Sequence, residues 1–403
     1  MNEIDPEKEW RQQQEAGMLY LPFVESVGDT LLKVLKKRPN EEIFEKKGGK
    51  LTVLIPTDGS PNARAITPFD KPFEPSIEIR FSMLIEIYKD SIAFPLLSAL
   101  IEKQHQVLKS LNEQFKGKPF TFDGAVPEIA DHLIAGPFEI HCAKMAEFVV
   151  KRADERIGKN DVRCRFLLFE IMLAWTFFHE LSHILQQHHV VRSRFGSTKE
   201  PSEHIDEIVG GNPLDADLRG QAREILADAE GIHLTLTYLT RGKRLNYATM
   251  YLLLCAVSCM FQRFYNHHDA SLEVTAGQHP HPVIRDEFAH AAAMNWVASY
   301  LLKTKTVSTH AEAAFPLAYY STRASLFTGI YRANRIEKFD GTKLPSFMSL
   351  ASKEHHAQKR TYMEKLGVHI KEQAAMINEL HLNPTGALEL LLTCVRNSGE
   401  SSD

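Results

Sequence analysis

Hydrophobic positions along the chain change period several times. Residues Asp5 to Glu45 are charged with helix-like spacing, and Lys46-Lys47-Gly48-Gly49-Lys50 closes that stretch with glycines, placing a boundary near Lys50. Leu51-Thr52-Val53-Leu54-Ile55 and the alternating Ser76-Ile77-Glu78-Ile79-Arg80-Phe81 read as strands, separated by a loop that carries Pro56, Asp58-Gly59, Pro61, Pro68 and Pro72. Leu96 to Phe115 returns to helical spacing, Lys116 to Asp123 reads as a loop, and Pro137 to His141 as one more short strand. From Asp161 the chain enters its most apolar helix, which runs through Phe166 to Phe178 into His179-Glu180-Leu181-Ser182-His183 without a glycine or proline. That helix is expected to continue to about His189. A polar segment from Pro201 to Asn212 separates it from a second helix over Asp217 to Leu239, and the chain beyond about Tyr300 reads as helical with a disordered tail.

These elements amount to a mostly α fold with a small β-sheet, an α+β class. The chain has 403 residues, 44% of them hydrophobic, enough for a substantial core. A formal charge of −4 and a pI near 6.6 give no basic field for nucleic acid and no polybasic run for an anionic membrane surface. Leu245 to Gln262 is uncharged between Arg244 and Arg263, but it falls short of the roughly 20 apolar residues of a span, so it reads as a buried core helix. Cys142, Cys164, Cys255, Cys259 and Cys394 are odd in number and form no CxxC pair, which argues for reduced thiols. With an acidic, polar N-terminus in place of a secretory signal, the expected location is cytoplasmic.

The chemistry lies in HELSH. On a helix His179 and His183 lie about 40° apart in rotation and roughly 6 Å apart along the axis, so both imidazoles can reach one ion. Glu180 projects beside them, where a carboxylate can take a proton from a zinc-bound water and return it to a leaving amine. HExxH also arises by chance in helices. Here it ends a long apolar helix, where burying two histidines and a glutamate is costly unless a cation or another partner meets them.

A catalytic zinc needs a third protein ligand and an open position. His189 stands where a longer HExxHxxGxxH pattern would place its last histidine, but Gln186 replaces the turning glycine, and on a continuous helix His189 lies about 15 Å along the axis from His179. Glu224, on the Arg223-Glu224-Ile225-Leu226-Ala227-Asp228 helix, is the stronger candidate. Asp228 shares its face and can accept the outer N–H of a ligand histidine. Glu230, His233 and Asp228 itself remain alternatives.

HELSH followed by a helix with E-x-x-A-D resembles the gluzincin peptidases of the prenyl-protein protease and HtpX type. The resemblance spans about residues 165 to 290. It implies a zincin-like metallopeptidase core, Glu224 as third ligand and Asp228 behind a ligand. His279-Pro280, with Arg285 downstream, is similar to that family's His-Pro motif, which implies that His279 contacts substrate or oxyanion; His281-Pro282 repeats the dipeptide, and distance from Arg285 favours His279. Membrane-spanning helices are not evident, so the resemblance is nearest in style to soluble phage-exclusion peptidases of the Lit type. The expected organisation is an N-terminal region over 1–125, a zincin-like core over 126–300 and a helical C-terminal region over 301–403.

The expectation is therefore a zinc peptidase: His179, His183 and Glu224 as ligands of one zinc, Glu180 and His279 as catalytic groups, Asp228 behind the ligands, and a protein or peptide substrate, with no nucleic acid or membrane partner. A metal-dependent amidase or deacylase on a small molecule would use the same ion in a deep, closed pocket, whereas an open cleft beside a strand edge suits a peptide. A catalytically silent regulator that keeps the fold is a third reading.

Overall fold

The computed structural model describes residues 21–104, 159–194, 213–241, 245–263, 272, 279–333 and 353–392. The expected strand over Pro137 to His141, the loops over 116–123 and 201–212, and the C-terminal tail lie outside the described residues.

Helix α1 (Leu21–Pro39) collects Lys36, Lys37 and Arg38 in its last turn, where cations meet the negative end of the helix dipole. Short π and 3₁₀ turns, Asn40–Phe44 and Glu45–Lys47, end at Gly48 with φ of 76°, as the glycine punctuation implies. Three strands follow: β1 (Thr52–Leu54), β2 (Ala63–Ile66) and β3 (Ser76–Ile79). Their order is β1-β3-β2, with β1 parallel and β2 antiparallel to β3, pairing Val53 with Ile77 and Ala65 with Ile77 from the two sides. β2 lies within the stretch read as a loop, and among the described residues it is an edge strand. Phe81, read as strand, instead opens α2 (Phe81–Gln104), which starts well before Leu96 and carries Pro95 within it.

Helix α3 (Lys159–Leu185) is the axis of the molecule, because its apolar residues leave no polar face. Leu168, Phe169, Ile171, Met172, Leu173, Ala174, Phe177 and Phe178 are all buried, each worth roughly 1.5–3 kcal/mol for a full-sized side chain. It does not run to His189. It stops at Leu185, Gln187 takes a left-handed conformation (φ 49°, ψ 45°), and a short helix α4 (His188–Ser193) leaves in a new direction. The Gln187 side-chain amide donates to the carbonyl of Leu380, and the Leu382 N–H to the carbonyl of Leu185 at 2.9 Å, so a segment nearly two hundred residues away holds the break.

Against α3 pack α5 (Pro213–Arg241) and α6 (Tyr247–Arg263), while α7 (Pro282–Lys303) lies on α5 and α6 and α8 (His310–Arg332) on α6 and α7, all in one core with α1, α2 and the sheet. A second core joins α4, α5, α7 and α9 (His356–Leu380), so α9 rests on the back of α5. The uncharged stretch from Leu245 forms α6, largely buried, and no helix among the described residues is long and apolar enough to cross a membrane. Gly231 lets α5 approach α3 closely: a methyl group there would stand 3.0 Å from the His179 backbone nitrogen.

Candidate metal site

HELSH occupies the last turns of α3, and the acidic face of α5 lies across from it. His179 Nε2 and His183 Nε2 face each other at 3.1 Å. Glu224 presents Oε2 at 3.6 Å from His179 Nε2 and Oε1 at 3.4 Å from His183 Nε2. One ligand atom from each of His179, His183 and Glu224 thus lies within 4.8 Å of the others.

Asp228, one turn along α5 from Glu224, places Oδ1 2.9 Å from His179 Nδ1, slightly off the line of a good hydrogen bond. Its other partner is Arg285 of α7, whose Nε and Nη2 reach the two carboxylate oxygens at 2.9 and 2.8 Å. Arg285 also lies 3.5 Å from Glu224 and stacks over Phe261 at 4.7 Å. A carboxylate at Nδ1 holds the ring proton there, which leaves the His179 Nε2 lone pair directed at Glu224 and His183.

This donor set fits a cation. Glu180, Glu224 and Asp228 are three carboxyl groups in largely buried positions facing one guanidinium, and imidazole lone pairs converge with carboxylate oxygens where none of them supplies a proton. Two histidines and a glutamate are the ligand types of a catalytic zinc site. Without metal the cluster attracts a proton. Burial opposes charge on His179, but Asp228 and Glu224 outweigh it and raise the ring to about 10, whereas burial pushes His183 down to about 3. Burial also disfavours the Glu224 charge, yet His279, His183 and His179 hold it well below the usual carboxylate range.

Glu180 projects into the neighbouring cleft. Burial, with Glu224 adding to it, raises its carboxyl to about 7 against the opposing pull of His179, His279 and Arg285. The cleft has a volume of about 330 Å³ and is partly open. Trp175, Met260 and Phe261 form its apolar wall, and Asn62 and Ala63, at the start of β2, line its rim.

The two His-Pro dipeptides part company. His279 is 70% exposed, lines the cleft and sets Nδ1 3.3 Å from Glu224, while His281 is buried and caps α7 by accepting the Val283 N–H. Among the alternative ligands, His189 lies edge-on to Phe69, 6.0 Å between centroids, and is not part of the cluster. Glu230 accepts from His381, Thr385 and Gln186, and His233 is buried edge-on to Trp296. The metal cluster brings in neither.

Two groups at the site carried no signal in the sequence reading. Arg285 served only as a spacing marker, and its charge among buried carboxylates needed the tertiary fold to show. His188 follows the apolar helix in sequence with nothing local to mark it as part of the site, yet it is buried, with Nδ1 2.7 Å from His183 Nδ1. Comparison with known protein families, with curated proteins and with solved structures finds no match to this chain. The functional reading therefore stands on the site's own chemistry.

Proposed function

We propose that the chain is a metal-dependent hydrolase with zinc as its ion, held by His179, His183 and Glu224. More particularly, it is a peptidase. The observation that carries this reading is the convergence of those three side chains beside Glu180 in a partly open cleft rimmed by an edge strand. β2 hydrogen-bonds to β3 on one side and has no strand partner on the other among the described residues, so an extended peptide can add to it and lead a carbonyl toward Glu180. Trp175, Met260 and Phe261 would take an apolar side chain of that peptide.

Zinc held by His179, His183 and Glu224 would supply Lewis acidity at a carbonyl oxygen and a lowered pKa for water. Glu180, poised near neutrality, takes the proton of the attacking water on its carboxylate and returns it to the departing amide nitrogen. His279, exposed at the mouth, presents a ring N–H to the oxygen on which negative charge develops. Asp228, clamped by Arg285, keeps the His179 ring oriented.

Metal content by mass spectrometry tests the ligand set. Wild type and Glu180→Gln should carry about one zinc per chain, and Glu224→Ala much less, as expected when one of three protein ligands is removed. Zinc kept at wild-type level in Glu224→Ala would remove that residue from the set. Cleavage of an unstructured peptide library by the zinc-loaded wild type, lost in Glu180→Gln, would separate the peptidase from a small-molecule amidase or a silent regulator.

A further inference from the structure

His183 has a second nitrogen, and what it meets decides whether the first can bind metal. His183 Nδ1 lies 2.7 Å from His188 Nδ1, and His188 Nε2 lies 2.7 Å from Gln186 Oε1. The orientation of the Gln186 amide is fixed by its nitrogen, which donates to the Leu226 carbonyl at 3.0 Å and to Glu230 Oε2 at 2.8 Å, two groups that only accept. Glu230 is itself anchored, receiving His381 Nε2 at 3.0 Å and the Thr385 hydroxyl at 2.9 Å. Gln186, His188 and Glu230 are all buried, so water cannot replace these partners freely.

The protons along this line are then determined in turn. Gln186 Oε1 can only accept, so His188 carries its proton on Nε2 and offers a lone pair at Nδ1. That lone pair accepts the His183 Nδ1–H. His183 Nε2 is left as a lone pair facing His179 Nε2 and Glu224. In the other tautomer, His183 would point an N–H at Glu224 and close the site to a cation.

We propose that His188, held by Gln186 and Glu230, is a positioning residue that keeps His183 in its metal-binding tautomer. This rests on the zinc reading of the site and adds a residue to it: Asp228 sets the tautomer of His179, and an imidazole in place of a carboxylate sets that of His183. The short helix α4 exists to turn His188 back onto its neighbour, which a helix continued through Gln186 would not do. A merely structural role for His188 would affect stability but not zinc affinity.

The test is the zinc dissociation constant of full-length wild type, His188→Leu and His188→Asn, measured by competition with a chromophoric chelator, with the thermal midpoint of each metal-free protein alongside. Leucine removes the acceptor, and zinc should bind about 10–100-fold more weakly. Asparagine offers a side-chain oxygen close to the place of the imidazole Nδ1 and should recover most of that loss, even where the two variants have the same midpoint. Wild-type affinity in His188→Leu, or an equal loss in both variants, overturns the inference. NMR correlation of protons with imidazole nitrogens in wild type needs no substitution: it should find His183 protonated on Nδ1 alone and His188 on Nε2 alone, and the reverse pattern would overturn the inference even if the leucine variant fails to fold. Failure of wild type to bind zinc at all would instead sink the proposed function, and this inference with it.

Discussion

Two of the buried clusters of histidine and carboxylate groups among the described residues answer to different logic. Between α6, α7 and α8 the Ser258 hydroxyl donates to Asp286, His290 Nε2 meets Ser258 Oγ at 2.9 Å, Ser321 Oγ meets His290 Nδ1 at 2.9 Å, and Ser325 donates to Asp286 at 3.1 Å. Donors alternate with acceptors along that whole chain, so it is complete as it stands, and it ties three helices together. At the end of α3 the alternation fails, because the Nε2 atoms of His179 and His183 and the oxygens of Glu224 converge, and without metal the only way to join them is for His179 to take up an extra proton. A buried His-Asp cluster is thus common ground between a structural network and a metal site. What separates them is whether the inward-facing atoms need something that is not protein.

The comparison is most exposed to Glu180→Gln. Removing the proton carrier while keeping the ligands should lower kcat about 100–10,000-fold, with zinc content unchanged. A loss of zinc in parallel would mean that Glu180 is part of the metal set. Asp228→Asn comes next: it weakens the carboxylate that fixes the His179 ring and should loosen zinc about 10–100-fold in chelator competition. The same assay on Ser258→Ala should show wild-type zinc affinity. That variant takes one of two donors from Asp286, which keeps Ser325, and removes the Ser258 oxygen from His290 Nε2, so its cost should appear in urea unfolding, at about 1–3 kcal/mol. Weakened zinc binding in Ser258→Ala would break the separation between the clusters.

How far the sequence could be read follows the same divide between local and distant causes. The four-residue spacing of His179 and His183, and of Glu224 and Asp228, is a helical period, and both pairs lie on helices as read. The exposed His279 and capping His281 occupy different environments despite identical dipeptides, a distinction set by where α7 starts. β2 escaped because Ala63-Arg64-Ala65-Ile66 is four residues long, sits between Pro61 and Pro68, and has one β-branched residue. The break at Gln187 has no glycine to announce it. Its left-handed backbone is held by contacts with Leu380 and Leu382, which no local pattern contains, and with the break went the position of His188. Conflict between local pattern and final fold is concentrated beside the site, where function most often overrides propensity.

The smallest expected effect concerns another buried imidazole, His233, which belongs to neither cluster. It faces Trp296 edge-on and has no hydrogen-bond partner on either ring nitrogen among the described residues. Burial lowers its pKa from 6.5 to about 4, with nearby Glu230 opposing only in part. A depressed histidine contributes stability that is fully present above its unfolded pKa and is lost as pH falls through the folded one, because the unfolded chain takes up the proton first. Over the range from pH 7.5 to 5.5 that amounts to on the order of 1 kcal/mol. His179 in the metal-free protein runs the other way: raised to about 10, it adds stability below pH 6.5 that fades as pH rises. Zinc-loaded protein removes that opposing contribution as long as the ion stays bound, and comparison with His233→Leu isolates the rest. Urea unfolding of the two loaded proteins should show wild type losing about 1 kcal/mol more than the variant on acidification. Parallel pH curves would mean that His233 keeps its ordinary proton affinity in the fold, and with it a partner of the kind that distinguishes the α6–α8 network from the proposed metal site.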